Sequence, residues 1–272
     1  MNLVHTIAEA REQTSAARRD GKSIGLVPTM GALHEGHLTL IRRAKQQNDF
    51  VGVSIFVNPT QFAPTEDLAK YPRTLDEDAR KCREAGVDLV FAPDAKEMYP
   101  SGFDTWVDIG GVTEMLEGKF RPTHFRGVAT VCLKLFNIFQ PDKAYFGRKD
   151  YQQLRVIQKM TADLNLPLEI VPVDIVREPD GLAMSSRNSY LSADERKAAL
   201  CLSQSLADAQ AAYESGERSA MTIQHVVKHR LDAEPLAEID YAVVVDAETL
   251  LPIETIVRPA AVLLAVRIGT TR

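Results

Sequence analysis

Cysteine is scarce in this chain, and its placement excludes the two uses that spacing can reveal. Cys82, Cys132 and Cys201 are far apart, odd in number and form no CxxC pair, which argues against a disulfide framework and against a zinc ribbon. Long apolar runs are missing too: no stretch of about 18 apolar residues is present to span a membrane. The N-terminus, MNLVHTIAEAREQ, carries charge early and has no apolar core of signal-peptide length, so a reducing cytoplasm is the expected setting. Positive charge is in deficit. With 32 Lys and Arg against 37 Asp and Glu, the net charge is −5, which leaves no bulk attraction to nucleic acid or to an anionic membrane. There is no Walker A loop: Gly21-Lys22-Ser23 imitates its tail, but position 16 is Ala16 and the triplet precedes its strand. Nor is there an H-E-x-x-H zinc motif. The closest approach is His34-Glu35-Gly36-His37, where the second histidine comes one residue early, so no metal ligands are assigned.

What is present reads as an α/β protein. Its 272 residues are 45% hydrophobic and 25% charged, ordinary for a globular chain and enough for two domains. Apolar runs at Ile24–Val27, Phe50–Val57, Val87–Ala92, Lys143–Phe146 and Leu168–Val176 read as buried strands. Helical periodicity fills the gaps. Residues 2–20 predict a helix with Ile7, Ala10 and Ala17 inward, and Pro28 is expected to end the first strand. Leu38, Ile41 and Ala44 mark a second helix. Thr74-x-x-Glu77 predicts a capping box for a third that runs to Gly86. Val128–Phe139 and Asp150–Leu164 complete the set, with a short strand near Trp106–Ile109. The alternation predicts a Rossmann-like doubly wound parallel sheet over residues 1–176. From 177 to 272 the pattern changes to a smaller α+β domain. Ser192-x-x-Glu195 caps a long helix to Tyr213, a second helix spans 222–231, and strands follow at 239–245 and 261–268.

Four polar segments fall after strands, at 28–37, 58–62, 147–153 and 184–188, and ligands of open α/β sheets bind at the carboxyl ends of the strands. In PTMGALHEGH, glycines and a helix start offer backbone N–H groups to an anion, and His34 and His37 can share a face. Gly147-Arg148-Lys149-Asp150 puts two cations at a helix start, where the dipole disfavours them unless an anion binds. Met184-Ser185-Ser186-Arg187 offers hydroxyls and a guanidinium. Gln61 and Gln153 are neutral amides suited to a hydroxy acid. Residues 63–73 read as a surface loop or lid. Together these suit a nucleotide and an acidic co-substrate. Each feature also has a plain structural reading: a turn, a solvated cation, or a surface amide.

The motifs PTMGALHEGH, SIFVNPTQF, YPRTL, RPTHFRGV (121–128), YFGRKDYQQL and MSSRNSYL, in that order from residue 28 to 191, resemble those of the pantothenate synthetase (pantoate–β-alanine ligase) family. The resemblance implies the superfamily in which an H-x-G-H element, here His34, Gly36 and His37, binds ATP. It implies ATP contacts at Met30-Gly31-Ala32-Leu33-His34-Glu35-Gly36-His37, at Gly147-Arg148-Lys149-Asp150, at Val176, and at Met184-Ser185-Ser186-Arg187, the counterpart of the KMSKS loop of related adenylating enzymes. Pantoate would sit on Gln61 and Gln153, and β-alanine on Gln61. It further implies two half-reactions through pantoyl adenylate, Mg²⁺ carried on the ATP phosphates, and a homodimer. His37, His34, Lys149 and Arg187 are then the catalytic candidates, with His37 as first choice for the donor to the transferred phosphate and its protonation state open. Two departures stand out. Arg148 occupies a position where the family more often has Glu, and the chain ends at Arg272, some residues before the usual family terminus, so a trimmed second domain is expected. Three rival readings remain. A nucleotidyltransferase of the same superfamily would have a cationic second site, a metallohydrolase would need a third ligand, and the third rival is a non-catalytic binding module.

Overall fold

The structure is a computed structural model and describes residues 1–62, 68–69 and 71–272. Most of the expected 63–73 lid, residues 63–67 and 70, lies outside the described residues. The chain divides into two compact units, Met1–Ile175 and Val176–Arg272.

The first unit is built on a parallel sheet of β1 (Asn2–Val4), β2 (Ile24–Thr29), β3 (Phe50–Ile55), β4 (Leu89–Phe91), β5 (Lys143–Gly147) and β6 (Glu169–Val173) in the order β1-β4-β3-β2-β5-β6. Between the strands run α1 (Ile7–Arg19), α2 (Glu35–Gln47), α3 (Leu75–Glu84), the single turns α4 (Ala95–Met98) and α5 (Glu117–Phe120), α6 (His124–Phe139) and α7 (Tyr151–Asp163). Both faces are covered, which is why the strands read as unbroken apolar runs. Leu26, Phe91 and Phe146 pack with Phe136, Phe139 and Ile157 on one side. Val27, Val53 and Tyr145 pack with Ile41, Ala44 and Cys82 on the other. From β2 the chain steps outward to β3 and β4, and from β5 it steps the opposite way to β6. The order therefore reverses between β2 and β5, which opens a crevice at their carboxyl ends.

Several boundaries differ from the sequence expectation. Residues 2–4 pair with β4 instead of starting a helix. The helix begins at Ile7 because Thr6 and Glu9 form a reciprocal capping box. Pro28 lies inside β2, paired in register with Ser54 of β3. The Ile24 carbonyl accepts the Asp142 N–H on the β5 side, so alternation turns Pro28 to that side too. The β2–β5 pairing covers only Gly25 and Leu26, so the missing N–H breaks no ladder bond. Thr74 makes no side-chain cap; its hydroxyl goes to Asp78 instead. Trp106–Ile109 is not a strand; the Val107 N–H is taken by the Thr130 hydroxyl at 3.1 Å.

The second unit holds α8 (Ala193–Ala198), α9 (Leu200–Glu214), α10 (Ala220–Asp232) and the antiparallel pair β7 (Ala237–Asp246) and β8 (Ala260–Ile268). Ile223, Val227 and Leu231 of α10 pack on Ala242, Val244, Val266 and Ile268. The Ser192–Glu195 capping box is present, but the helix expected to run unbroken to Tyr213 divides at Ala199. Nothing in that run of helix formers marks the break.

Candidate functional site

The turn after β2 is shaped by its neighbours. Gly31 sits at φ +84° and Ala32 at φ 50°, a left-handed pair that reverses the chain into α2. Thr29 Oγ1 donates to the Ser54 carbonyl at 2.7 Å and accepts the Gly31 N–H at 3.3 Å. Asp78 of α3, buried at 1% exposure, accepts the N–H of Ala32 at 2.9 Å and of Leu33 at 2.7 Å. Lys81 Nζ donates to the Leu33 carbonyl at 2.6 Å.

The two histidines then cap α2 themselves. His34 is the N-cap, its Nδ1 accepting the Gly36 N–H at 3.1 Å, and His37 Nδ1 accepts the His34 N–H at 3.3 Å. This overturns part of the sequence reading. The N–H groups of Gly31, Ala32, Leu33, His34 and Gly36 are not free for an anion, because protein acceptors hold them. What the turn offers instead is ring nitrogen. An Nδ1 that accepts a backbone N–H carries no proton, so the neutral rings bear theirs on Nε2. His37 is pushed down to about 3, first by desolvation and then by His34, with Lys149 and Lys81 adding to the effect and Asp150 opposing it. It is a neutral Nε2–H donor at pH 7.

The loop after β5 acts on His37 electrostatically, through Lys149 and Asp150. There Arg148–Asp150 form a 3-10 turn and α7 starts at Tyr151. Lys149 Nζ lies 3.3 Å from Asp150 Oδ1. Arg148 turns outward, its Nε 3.1 Å from Asp174 Oδ1. On α7 the two adjacent glutamines differ. Gln152 is buried and ties down the 112–117 segment through Val112, Met115 and Glu117. Gln153 is half-buried.

Gln61 is held tightly in the turn after β3. Its Oε1 accepts from Asn58 Nδ2 at 3.1 Å, and among the described residues its Nε2 meets the weak acceptor Met30 Sδ, also at 3.1 Å. Its backbone carbonyl takes His124 Nδ1 at 3.0 Å and Arg121 Nη2 at 3.2 Å. Asn58 Oδ1 accepts from the Thr60 and Tyr99 hydroxyls. Gly127 lets α6 press on this turn, since a Cβ there would lie 2.5 Å from the Thr60 carbonyl oxygen. Asn58, Asp78, Tyr99, Arg121 and His124 are the site-building residues that sequence reasoning left without a role. The available signals were the RPTHF stretch, for Arg121 and His124, and the SIFVNPTQF motif, for Asn58.

In the second unit, Val176 accepts the Met184 N–H at 2.9 Å. Ser185 Oγ caps the 3-10 turn of Ser186–Tyr190 by accepting the Arg187 N–H at 3.2 Å. Glu178 anchors this loop from two sides, through Asn188 and Arg196. Among the described residues no group of three or more His, Cys, Asp or Glu could hold a metal ion, and no helix is long and apolar enough to cross a membrane.

A doubly wound parallel sheet whose switch point carries a paired-histidine turn opposite a cationic loop defines a Rossmann-like nucleotide-binding protein. A family model described as Pantoate-beta-alanine ligase matches residues 2–272, and the chain belongs to that family. It is 55% identical to a pantothenate synthetase of Heliobacterium modesticaldum over all of this chain and 97% of that protein. With the corresponding protein of Moorella thermoacetica it shares 54% identity over all of this chain and 96% of that one. The crystal structure of pantothenate synthetase from Thermus thermophilus superposes with a TM-score of 0.95 at 47% identity, covering 99% of this chain and 96% of that one. The pantoate-beta-alanine ligase of Francisella tularensis, complexed with beta-gamma ATP and beta-alanine, gives 0.80 at 32% identity over 100% and 95%.

Proposed function

We infer that the β2–β5 crevice is the adenylation site of a pantoate–β-alanine ligase. The chain joins pantoate to β-alanine with ATP. The single observation that carries the site assignment is that His37 stands within electrostatic reach of Lys149 and Asp150, while Gln61 Nε2 reaches Met30 in the same turn. Cations and ring donors thus adjoin a buried amide with a weakly engaged N–H, as a triphosphate beside a small hydroxy acid requires.

In the first half-reaction a pantoate carboxylate oxygen attacks the α-phosphorus of ATP, and the bond to the bridging oxygen breaks to release pyrophosphate. A carboxylate is already a competent nucleophile, so the site supplies alignment and charge stabilisation and no base. His34 and His37 donate Nε2–H to phosphate oxygens, and Lys149 neutralises charge on the phosphates that leave. Met30–His37 and Gly147–Asp150 line the nucleotide, Arg148 by its backbone, and Gln61 and Gln153 hold pantoate by amide N–H and C=O. In the second half-reaction the β-alanine amine, also held at Gln61, attacks the acyl carbon. The C–O bond to phosphate breaks, AMP leaves, and the amine proton passes to solvent. Val176, Met184, Ser185, Ser186 and Arg187 are proposed for ATP on the family resemblance, with Arg187 as a further cation. Mg²⁺ would be carried by the triphosphate oxygens, because the groups around His37 are rings and cations with the carboxylate of Asp150 already paired to Lys149, a set that suits phosphate and not a metal cage. A cytoplasmic homodimer completes the proposal, and light scattering on the purified enzyme checks the dimer.

Pantoate-dependent exchange of labelled pyrophosphate into ATP tests the whole reading. Exchange that needs pantoate and no β-alanine supports the adenylate. Ligation without any such exchange rejects it.

A further inference from the structure

The grip of α3 on the turn after β2 has a chemical direction. Asp78 holds the peptide N–H before Leu33, and Lys81 holds the carbonyl after it, at 2.7 Å and 2.6 Å. That second peptide group is the one whose N–H belongs to His34, and the His34 N–H donates to His37 Nδ1 at 3.3 Å. The chain of bonds therefore runs from Lys81 ammonium to Leu33 carbonyl, and from His34 N–H to His37 ring. An ammonium on a carbonyl polarises the attached N–H as a donor. Asp78 fixes the plane on the other side through Ala32 and Leu33, and is itself fixed by the Thr74 hydroxyl at 3.1 Å. Lys81 also pairs with Glu77 at 2.8 Å, which keeps its head group in place.

We propose that Asp78 and Lys81 are positioning residues for adenylation, aiming the His34 N–H at His37 Nδ1 so that the His37 Nε2–H stays on the phosphate. This rests on the reading of His37 as a phosphate donor. Neither α3 side chain has to touch substrate. They act through the ring, so their effect disappears when the ring is absent.

A double-mutant cycle on pyrophosphate exchange tests it. Lys81→Met keeps the stem and removes the donor, and it serves as the primary variant because Asp78→Asn buries an amide against two N–H groups and can cost folding. Lys81→Met should lower kcat for exchange about 10-fold or more, as loss of an orienting partner typically does, with pantoate KM unchanged and the native fold retained. In a His37→Ala background the same substitution should cost less than about two-fold, since coupled residues are not additive. Asp78→Asn, where it folds, should follow the same pattern. An equal loss in both backgrounds, or an unchanged kcat in Lys81→Met, overturns the proposal. If His37→Ala itself exchanges at the unmodified rate, it is the phosphate-donor reading that fails, and the two failures are distinct.

Discussion

His34 and His37 cap one helix between them: the His37 ring takes the His34 N–H at 3.3 Å, and the ring centroids stand 4.1 Å apart with a 39° tilt. Capping normally falls to Ser, Thr, Asp or Asn. Imidazole can do it only with an unprotonated Nδ1, so the cap and the tautomer are one fact. The consequence is measurable by heteronuclear NMR of histidine-labelled enzyme without ligand. His37 should show the Nε2–H form from pH 5.5 to 8, with no titration near 6.5. An imidazolium signal for His37 at pH 6 would refute the assignment.

The same depression couples to stability. The folded His37 resists a proton down to about pH 3, while the unfolded ring takes one near 6.5. Below 6.5 the unfolded state therefore binds more protons, and the native state loses stability as pH falls from 6.5 toward 3. Each decade of proton affinity is worth about 1.4 kcal/mol. Urea unfolding at pH 7 and pH 5 should give a lower midpoint at pH 5, and His37→Gln should reduce that difference.

On the proposed mechanism, adenylation depends on the donors that the crevice presents. His37→Ala and Lys149→Ala should each fold normally and lose roughly 100- to 1,000-fold in pantoate-dependent pyrophosphate exchange, the usual cost of one oriented donor. Circular dichroism checks the fold and the exchange assay checks the loss. Near-normal exchange in either variant would remove that residue from the mechanism.

The sheet was readable because burial on both faces leaves a plain mark. Phe50–Val57 and Val87–Ala92 are apolar nearly throughout, and both contain strands. Three-residue β1 carries too little pattern to compete with the helical signal that follows it. Pro28 misled because the rule against proline in a strand concerns a lost ladder bond, and on that side of β2 there was none to lose. The site was readable only as local motifs. Asp78 lies 45 and 46 residues from the N–H groups it holds, and His124 lies 63 from the Gln61 carbonyl, distances at which a single sequence carries no pairing signal. For Arg148 the structure adds a partner that the dipole argument did not weigh, the exposed carboxylate of Asp174.

That pairing makes Arg148 a useful control. Its side chain is 47% exposed and that of Asp174 94%, and an exposed ion pair contributes about 0–1 kcal/mol. Arg148→Ala should leave exchange within about two-fold and stability within about 0.5 kcal/mol, in contrast to the large loss expected for Lys149→Ala. A large loss of ATP affinity would mean that the guanidinium leaves Asp174 for the phosphates.

Gly127 tests whether the acid subsite is separable from the nucleotide. A methyl group there would sit 2.5 Å from the Thr60 carbonyl oxygen and 2.7 Å from the Gln61 nitrogen, so Gly127→Ala must push the 59–61 turn away from α6. The Asn58 amide, which bridges the Gly127 carbonyl and Gln61 Oε1 at 3.1 Å each, would be pulled between them. Overpacking of this kind costs about 1–3 kcal/mol of stability. Because Gln61 moves and the 30–37 turn is braced independently by Asp78, the pantoate KM should rise about ten-fold or more while the ATP KM stays nearly constant. Steady-state kinetics with each substrate varied in turn reads this directly. A parallel rise in both constants would mean that the two subsites are not independently supported.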